Sequence, residues 1–321
     1  MTKATRHWRD FSRATYAQRD MPSELFLGRG MLSRGEVQAL FTCGADFFAN
    51  RGKIVDAGAF AGMSAYSFAT GLRHNPIGDF GPEPVIHSYD KFIADDGYTA
   101  DYLRNVFYTA RNTNGEAKEV LWSPGPDEDF LSVFWHQNQS HTDLIEAHQG
   151  DFGDQPWPHG DIEILFMDVA KTKALQDHML REFLPHMIEG ESVLIQQDYN
   201  HVWHPYIHLA MEILAPCFDI LVAGEAASRF YLCRSLPSDD LLAEAIALDL
   251  DATQIKEAYS DALAKSDPAF RRMLMLAQVK ALKDGGVEDE AQGAADQVVR
   301  SFDDKPVADW VSADISRILG E

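Results

Sequence analysis

Asp56 ends a short apolar run, Ile54-Val55, and is followed by Gly58 and Gly62 with Ala59, Phe60 and Ala61 between them. A helical pattern starts directly behind the second glycine, with Met63, Tyr66, Phe68, Ala69 and Leu72 on its apolar positions. The reading is strand, glycine turn, helix. Glycines let a ligand approach the backbone closely and permit positive φ. The helix start behind them offers unpaired N–H groups and the positive end of a dipole. A nucleotide or a carboxylate suits such a cradle.

Four more acids sit at the ends of apolar runs. Asp90 follows Val85-Ile-His-Ser-Tyr89, and Asp151 follows Leu144-Ile-Glu-Ala-His148 within Gly150-Asp-Phe152. Asp168 follows Ile162-Glu-Ile-Leu-Phe-Met167, and Asp198 closes Ser192-Val-Leu-Ile195 through Gln196-Gln197. A dinucleotide turn needs G-x-G-x-x-G with an acid about 20 residues on. Here Phe60 stands where the middle glycine belongs and Asp90 lies well beyond that distance, so a nicotinamide-dependent oxidoreductase is the weaker reading. No G-K-[ST] follows the turn, which excludes a P-loop. His201, His204 and His208 lie close together, but no H-E-x-x-H frames them and Pro205 interrupts the spacing. Ser64 lacks the following glycine of a nucleophile elbow.

The elements that must position these residues alternate. Ser33-x-x-Glu36 is a capping box for a helix running to about Ala49. Strand and helix patterns then take turns through Leu214, with a helix expected over Asp101 to Arg111, the signature of a parallel α/β sheet. Phe218–Ala223 and Arg229–Arg234 are joined by too short a link for a crossover helix, so they pair antiparallel. Residues 1–30 form an N-terminal arm, 31–237 the α/β domain, and 238–321 an acidic helical extension that packs on the core or on a second copy. The aromatic-rich insert at 112–140, with Trp122, Ser123-Pro-Gly-Pro126, Phe130, Phe134 and Trp135, reads as a lid or as a packed excursion.

Composition narrows the partners. The 321 residues are 45% apolar and carry a formal net charge of −22, which repels phosphate backbones and anionic membranes and favours a small-molecule substrate. Three cysteines without CxxC spacing read as reduced thiols, and no apolar leader or spanning segment stands out, so a cytoplasmic protein is expected.

Val55-Asp-Ala-Gly-Ala-Phe-Ala-Gly-Met-Ser64, Ser88-Tyr-Asp90 and Gly150-Asp-Phe152 together resemble the class I S-adenosylmethionine-dependent methyltransferases, over roughly residues 31–235. Within them the chain looks most similar to the macrolide-sugar O-methyltransferase group, where G-x-x-x-G-x-S turns are usual. The resemblance implies a Rossmann-like, doubly wound, mostly parallel seven-stranded sheet closed by an antiparallel hairpin. It implies that Gly58, Gly62 and Ser64 cradle the methionine part of the cofactor and that Asp56 holds its ammonium. Asp90 would take the ribose hydroxyls, and Asp151 with Phe152 the adenine. Turn capping is the structural alternative for each acid.

The same resemblance places a divalent metal, Mg2+, on Asp168 and Asp198. The expected Asp-Gly-x-His is replaced here by Asp168-Val-Ala-Lys-Thr172, however, so a metal-free site competes with it. Without metal the reaction needs a base, for which His201, His204 and Lys171 are candidates; Lys171 could instead pair with Asp168 or a substrate acid. A non-catalytic cofactor-binding scaffold with a helical interaction tail is the remaining alternative.

Overall fold

The computed structural model describes residues 5–95, 97–111, 117–120, 128–302 and 308–320. Seven strands form one sheet, β1 (Lys53–Ala57), β2 (Ile86–Asp90), β5 (Ile145–Gln149), β6 (Ile162–Met167), β7 (Val193–Gln196), β8 (Phe218–Glu225) and β9 (Ser228–Cys233). Their order is β5-β2-β1-β6-β7-β9-β8, and β3 (Thr109–Arg111) pairs separately with β4 (Ala117–Val120). The chain divides into two compact units, Met1–Val169 and Ala170–Glu321.

In the first unit β5, β2, β1 and β6 run parallel, with Asp56 opposite Ser88 and Tyr89 opposite His148. Every residue of β6 is buried, as expected for a parallel strand covered on both faces. Its Glu163 is buried too, and its carboxylate accepts the Arg51 N–H at 2.8 Å and the Ala49 N–H, tying the approach to β1 to β6.

The helices of this unit are α1 (Arg13–Ala17), α2 (Arg34–Thr42), α3 (Met63–Arg73), α4 (Gly97–Leu103) and α5 (Leu131–Gln137). Ser33 and Glu36 form the expected capping box, and the helix continues through a π turn to Phe47. A Cβ on Gly44 would stand 2.7 Å from the Phe68 carbonyl oxygen, so the small residue is what lets this segment lie against α3. The N-terminal arm packs by aromatic rings: Trp8 stacks on Phe47 at 5.3 Å and Phe11 meets it edge-on at 5.1 Å.

The helix expected over Asp101 to Arg111 is not continuous. It ends at Leu103, passes through a π turn at Arg104–Tyr108 and becomes β3. Thr109 opens the strand, and a β-branched residue favours extended pairing. Trp122 and Ser123 to Pro126 lie outside the described residues; Phe130, Phe134 and Trp135 cap or belong to α5.

The second unit contains β7, β8 and β9, with β9 antiparallel to both neighbours, as the short link predicts. Its helices are α6 (Lys173–Glu182), α7 (Pro205–Ile213), α8 (Asp239–Ala247), α9 (Ala252–Ala264), α10 (Arg271–Asp284), α11 (Glu288–Arg300) and α12 (Asp309–Leu319). The acidic extension is helical, as expected. It shares a core with α7, in which Leu276, Leu282 and Val298 pack with Leu209 and Tyr259.

Candidate functional site

In the first unit the strand order reverses between β1 and β6, and in open α/β sheets ligands bind beyond the carboxyl ends of strands at such a switch. Asp56, Gly58, Gly62, Ser64 and Asp90 all lie at that end of β1 and β2. Gly58 and Gly62 adopt φ of 90° and 92°, and Phe60 between them is also left-handed at 47°. The Tyr89 carbonyl accepts the N–H groups of Gly58 and Ala59 at 2.8 and 3.1 Å. Asp90 accepts the Phe60 N–H through Oδ2 at 2.9 Å and the Phe92 N–H through Oδ1 at 2.7 Å.

Asp56 lies behind this turn, wholly buried. Ser88 donates to its Oδ2 at 2.9 Å, while Oδ1 has no partner at hydrogen-bond geometry. Burial pushes its carboxyl up to about 6; the Ser64 and Ser88 hydroxyls oppose the rise, the Asp90 charge adds to it, and the Ala65 N–H opposes it. Burial also raises Asp90, against the Phe92 and Phe60 N–H groups that stabilise its charge.

The glycines also serve packing. A Cβ on Gly58 would stand 2.6 Å from the Asp168 carbonyl carbon. One on Gly62 would stand 2.8 Å from the Phe134 ring and collide with Asn138. The start of α3 is therefore covered by α5, whose end donates carboxamide bonds to the turn. Gln137 Nε2 reaches the Ala61 carbonyl at 2.9 Å, and Asn138 Nδ2 the Gly62 carbonyl at 3.2 Å. Neither residue carries a sequence signal for this role.

Asp151 accepts the Gly153 N–H at 3.0 Å and pairs with Lys91 at 3.3 Å. Phe152 beside it is buried, edge-on to Tyr89 at 5.8 Å. Asp168 donates its own N–H to the Ala57 carbonyl at 2.7 Å, fixing it at the end of β6.

The second unit holds the other expected residues. The Lys171 ammonium pairs with Asp198 Oδ2, so the lysine's partner is Asp198. His204 Nε2 lies 3.9 Å from the same oxygen, and the His201 ring stacks on His204 at 4.9 Å. Tyr206 donates to the Ala170 carbonyl at 2.9 Å, so its oxygen is left to accept from His204 Nδ1 at 2.8 Å. This fixes the tautomer: Nδ1 carries the proton and Nε2 is the basic nitrogen. Burial lowers His204 to about 4; Asp198 opposes that shift, and His201, Lys171 and Lys280 add to it. His208 stands apart, buried between the Tyr259 hydroxyl and the Tyr199 carbonyl. His178 packs edge-on against Phe183. An ammonium on Asp198 already supplies the positive charge that a divalent ion would bring, so this set of groups does not suit Mg2+.

Among the described residues no helix is long and apolar enough to cross a membrane. No family model matches the chain, and no curated protein does. Solved structures similar to it include CalS11, a TDP-rhamnose 3'-O-methyltransferase of calicheamicin biosynthesis, at 18% identity and TM-score 0.37, covering 68% of this chain and 90% of that one. The S-adenosylhomocysteine-bound methyltransferase PaMTH1 of Podospora anserina is 10% identical at TM-score 0.32, covering 80% and 77%. The 23S rRNA methyltransferase ErmE is 13% identical at TM-score 0.35, covering 78% and 97%.

Proposed function

We propose that the chain is an S-adenosylmethionine-dependent methyltransferase that O-methylates a small, hydroxylated, sugar-like acceptor. One observation carries the cofactor reading: the Asp90 carboxylate is seated on the Phe60 N–H inside the glycine turn, with buried Asp56 behind it. A pyrophosphate needs the donors of such a turn and positive charge around them. Here one donor is spent on the Asp90 carboxylate, and a second acid, Asp56, lies buried behind the turn. A ligand that brings cations and hydroxyls suits it better.

The residues present fit that group. Each Asp90 oxygen keeps a lone pair for a ribose hydroxyl. Asp56, buried beside the Ser64 and Ser88 hydroxyls and the Ala65 N–H, offers charge to an ammonium through water given its depth. Gly58, Gly62 and Ser64 border the methionine part, and Asp151 with Phe152 is assigned to the adenine. When bound, S-adenosylmethionine supplies an electrophilic methyl group on its sulfonium. The chain supplies orientation and a base.

The candidate for that base in the second unit is His204, whose Nε2 is held as the accepting nitrogen by Tyr206. On taking a proton it becomes an imidazolium 3.9 Å from Asp198, which stabilises the charge. Lys171 holds Asp198 in place, and His201 shields the ring by stacking. No metal enters this reading.

Calorimetric titration of the wild type and of Asp90→Ala with S-adenosylmethionine, S-adenosylhomocysteine and NAD tests it. Binding of both sulfur compounds, weakened at least about tenfold in the variant, is expected, since a hydrogen bond to a charged group contributes roughly 1.5–3 kcal/mol. NAD binding in the absence of either sulfur compound's would overturn the cofactor assignment. Equal affinity in the variant would overturn the role of Asp90.

A further inference from the structure

We propose that His87, His148 and His159 form a transition-metal site in the first unit, taking one zinc-class divalent ion through three imidazole nitrogens. The topology brings them together. In the β2–β5 register His87 lies opposite Glu146 and Tyr89 opposite His148. Residues two apart share a face of the sheet, so all four side chains stand on one face. Ser88, which serves Asp56, and Asp90 point the other way. The site is therefore separate from the acids assigned to the cofactor. His159 arrives from the segment before β6.

The distances suit one ion. The three ligand nitrogens all lie within 4.8 Å of one another. His87 Nδ1 is 3.1 Å from His148 Nε2. Donors about 2.0–2.1 Å from a tetrahedral zinc stand roughly 3.3 Å apart, so this separation approaches a coordination edge. To aim three in-plane lone pairs at one ion the rings must turn out of the stack in which the His87 ring lies on those of His159 and His148 at 4.1 and 5.3 Å.

His87 is buried and His148 and His159 are partly so, which keeps the cluster away from bulk water. Trp157, edge-on to His87 at 5.3 Å, and Tyr89, stacked on His148 at 4.4 Å, wall the cluster with apolar rings. Three imidazole nitrogens leave the fourth position of a tetrahedron to a water. Such an ion would pin the edge strand β5 and the segment holding His159 onto β2.

Tag-free, chelator-treated protein titrated with Co2+ tests this by its visible d–d bands, with Zn2+ as displacing ion. Intense tetrahedral bands saturating at one equivalent and abolished by Zn2+ are expected. So is a melting temperature raised by Zn2+. His148→Ala and His159→Ala, both at incompletely buried positions, should each weaken Co2+ binding at least about tenfold, losing a direct ligand where loss of an outer-shell partner alone costs 10–100-fold. His178→Ala should not weaken it. Circular dichroism of the apo variants separates lost ligation from lost fold. Octahedral or absent bands in the wild type, or unchanged affinity in folded His148→Ala and His159→Ala, would overturn the site.

Discussion

Asp90 holds Phe60 in a left-handed conformation by accepting its N–H at 2.9 Å, and it holds Phe92 the same way at 2.7 Å. The two phenylalanines sit at φ of 47° and 52°, which side-chain-bearing residues rarely adopt. One acid thus stabilises two strained residues, one of them inside the glycine turn.

Replacing it tests that coupling. Asp90→Ala leaves two donors without their acceptor, at about 1–3 kcal/mol each. Asp90→Asn keeps one carbonyl oxygen and should lose about half as much. Urea denaturation near pH 7 of the three proteins gives the order directly; equal midpoints would refute it.

Asp56 makes stability depend on pH in an unusual direction. Its folded value of about 6 lies above the unfolded carboxylate value of about 3.9, so the folded state binds the proton more tightly. Stability from this group is full below about pH 4 and is lost as pH rises through about 6, by roughly 3 kcal/mol in all. Asp56→Asn lacks this slope. Chemical denaturation of both proteins from about pH 4 to 7 checks it, and parallel pH profiles would rule it out.

Two glycines at positive φ separate strain from packing. Gly78 (φ 75°) has open space around a built Cβ, whereas Gly62 (φ 92°) has the Phe134 ring at 2.8 Å. Gly78→Ala should cost only the backbone penalty of about 1–2 kcal/mol. Gly62→Ala adds overpacking of about 1–3 kcal/mol and should weaken cofactor binding as well. Thermal melts rank the pair.

The base assignment carries its own pH signature. His204→Gln should lower kcat by about 10²–10⁴-fold with cofactor affinity unchanged. Because His204 is depressed to about 4, the basic form persists through the neutral range and the rate should fall only as pH approaches that value. An ordinary histidine base would lose rate below about 6.5. His201→Ala removes a repulsion and should move the acid limb upward; a limb unmoved in that variant, or one near 6.5 in the wild type, would dismiss His204.

The turn and the closing hairpin were legible because their signals are local. Gly58 and Gly62 mark positive φ directly, and the link between Ala223 and Arg229 is too short for a helix. The partners of those elements come from far along the chain. Gln137 and Asn138 reach residues 76 positions away, and an amide side chain at the end of a helix announces nothing of the kind. Lys171 was legible as a cation beside acids, but its choice of Asp198 depends on where two loops of the second unit meet. The convergence of His87, His148 and His159 needs the β2–β5 register, which no single strand encodes. The break in the 101–111 helix was hidden because helical spacing and extended propensity coexist there.

The inner position of β9 sets an order of events on the ribosome. β8 leaves the ribosome before β9, yet β9 is the strand that pairs with both β7 and β8. A nascent chain that has reached only Ala227 therefore carries two strands whose shared neighbour is still unmade. Until Cys233 has emerged, β7 keeps an unpaired edge of the kind that recruits other chains. A pause in that interval prolongs the exposure, and the arrival of β9 ends it.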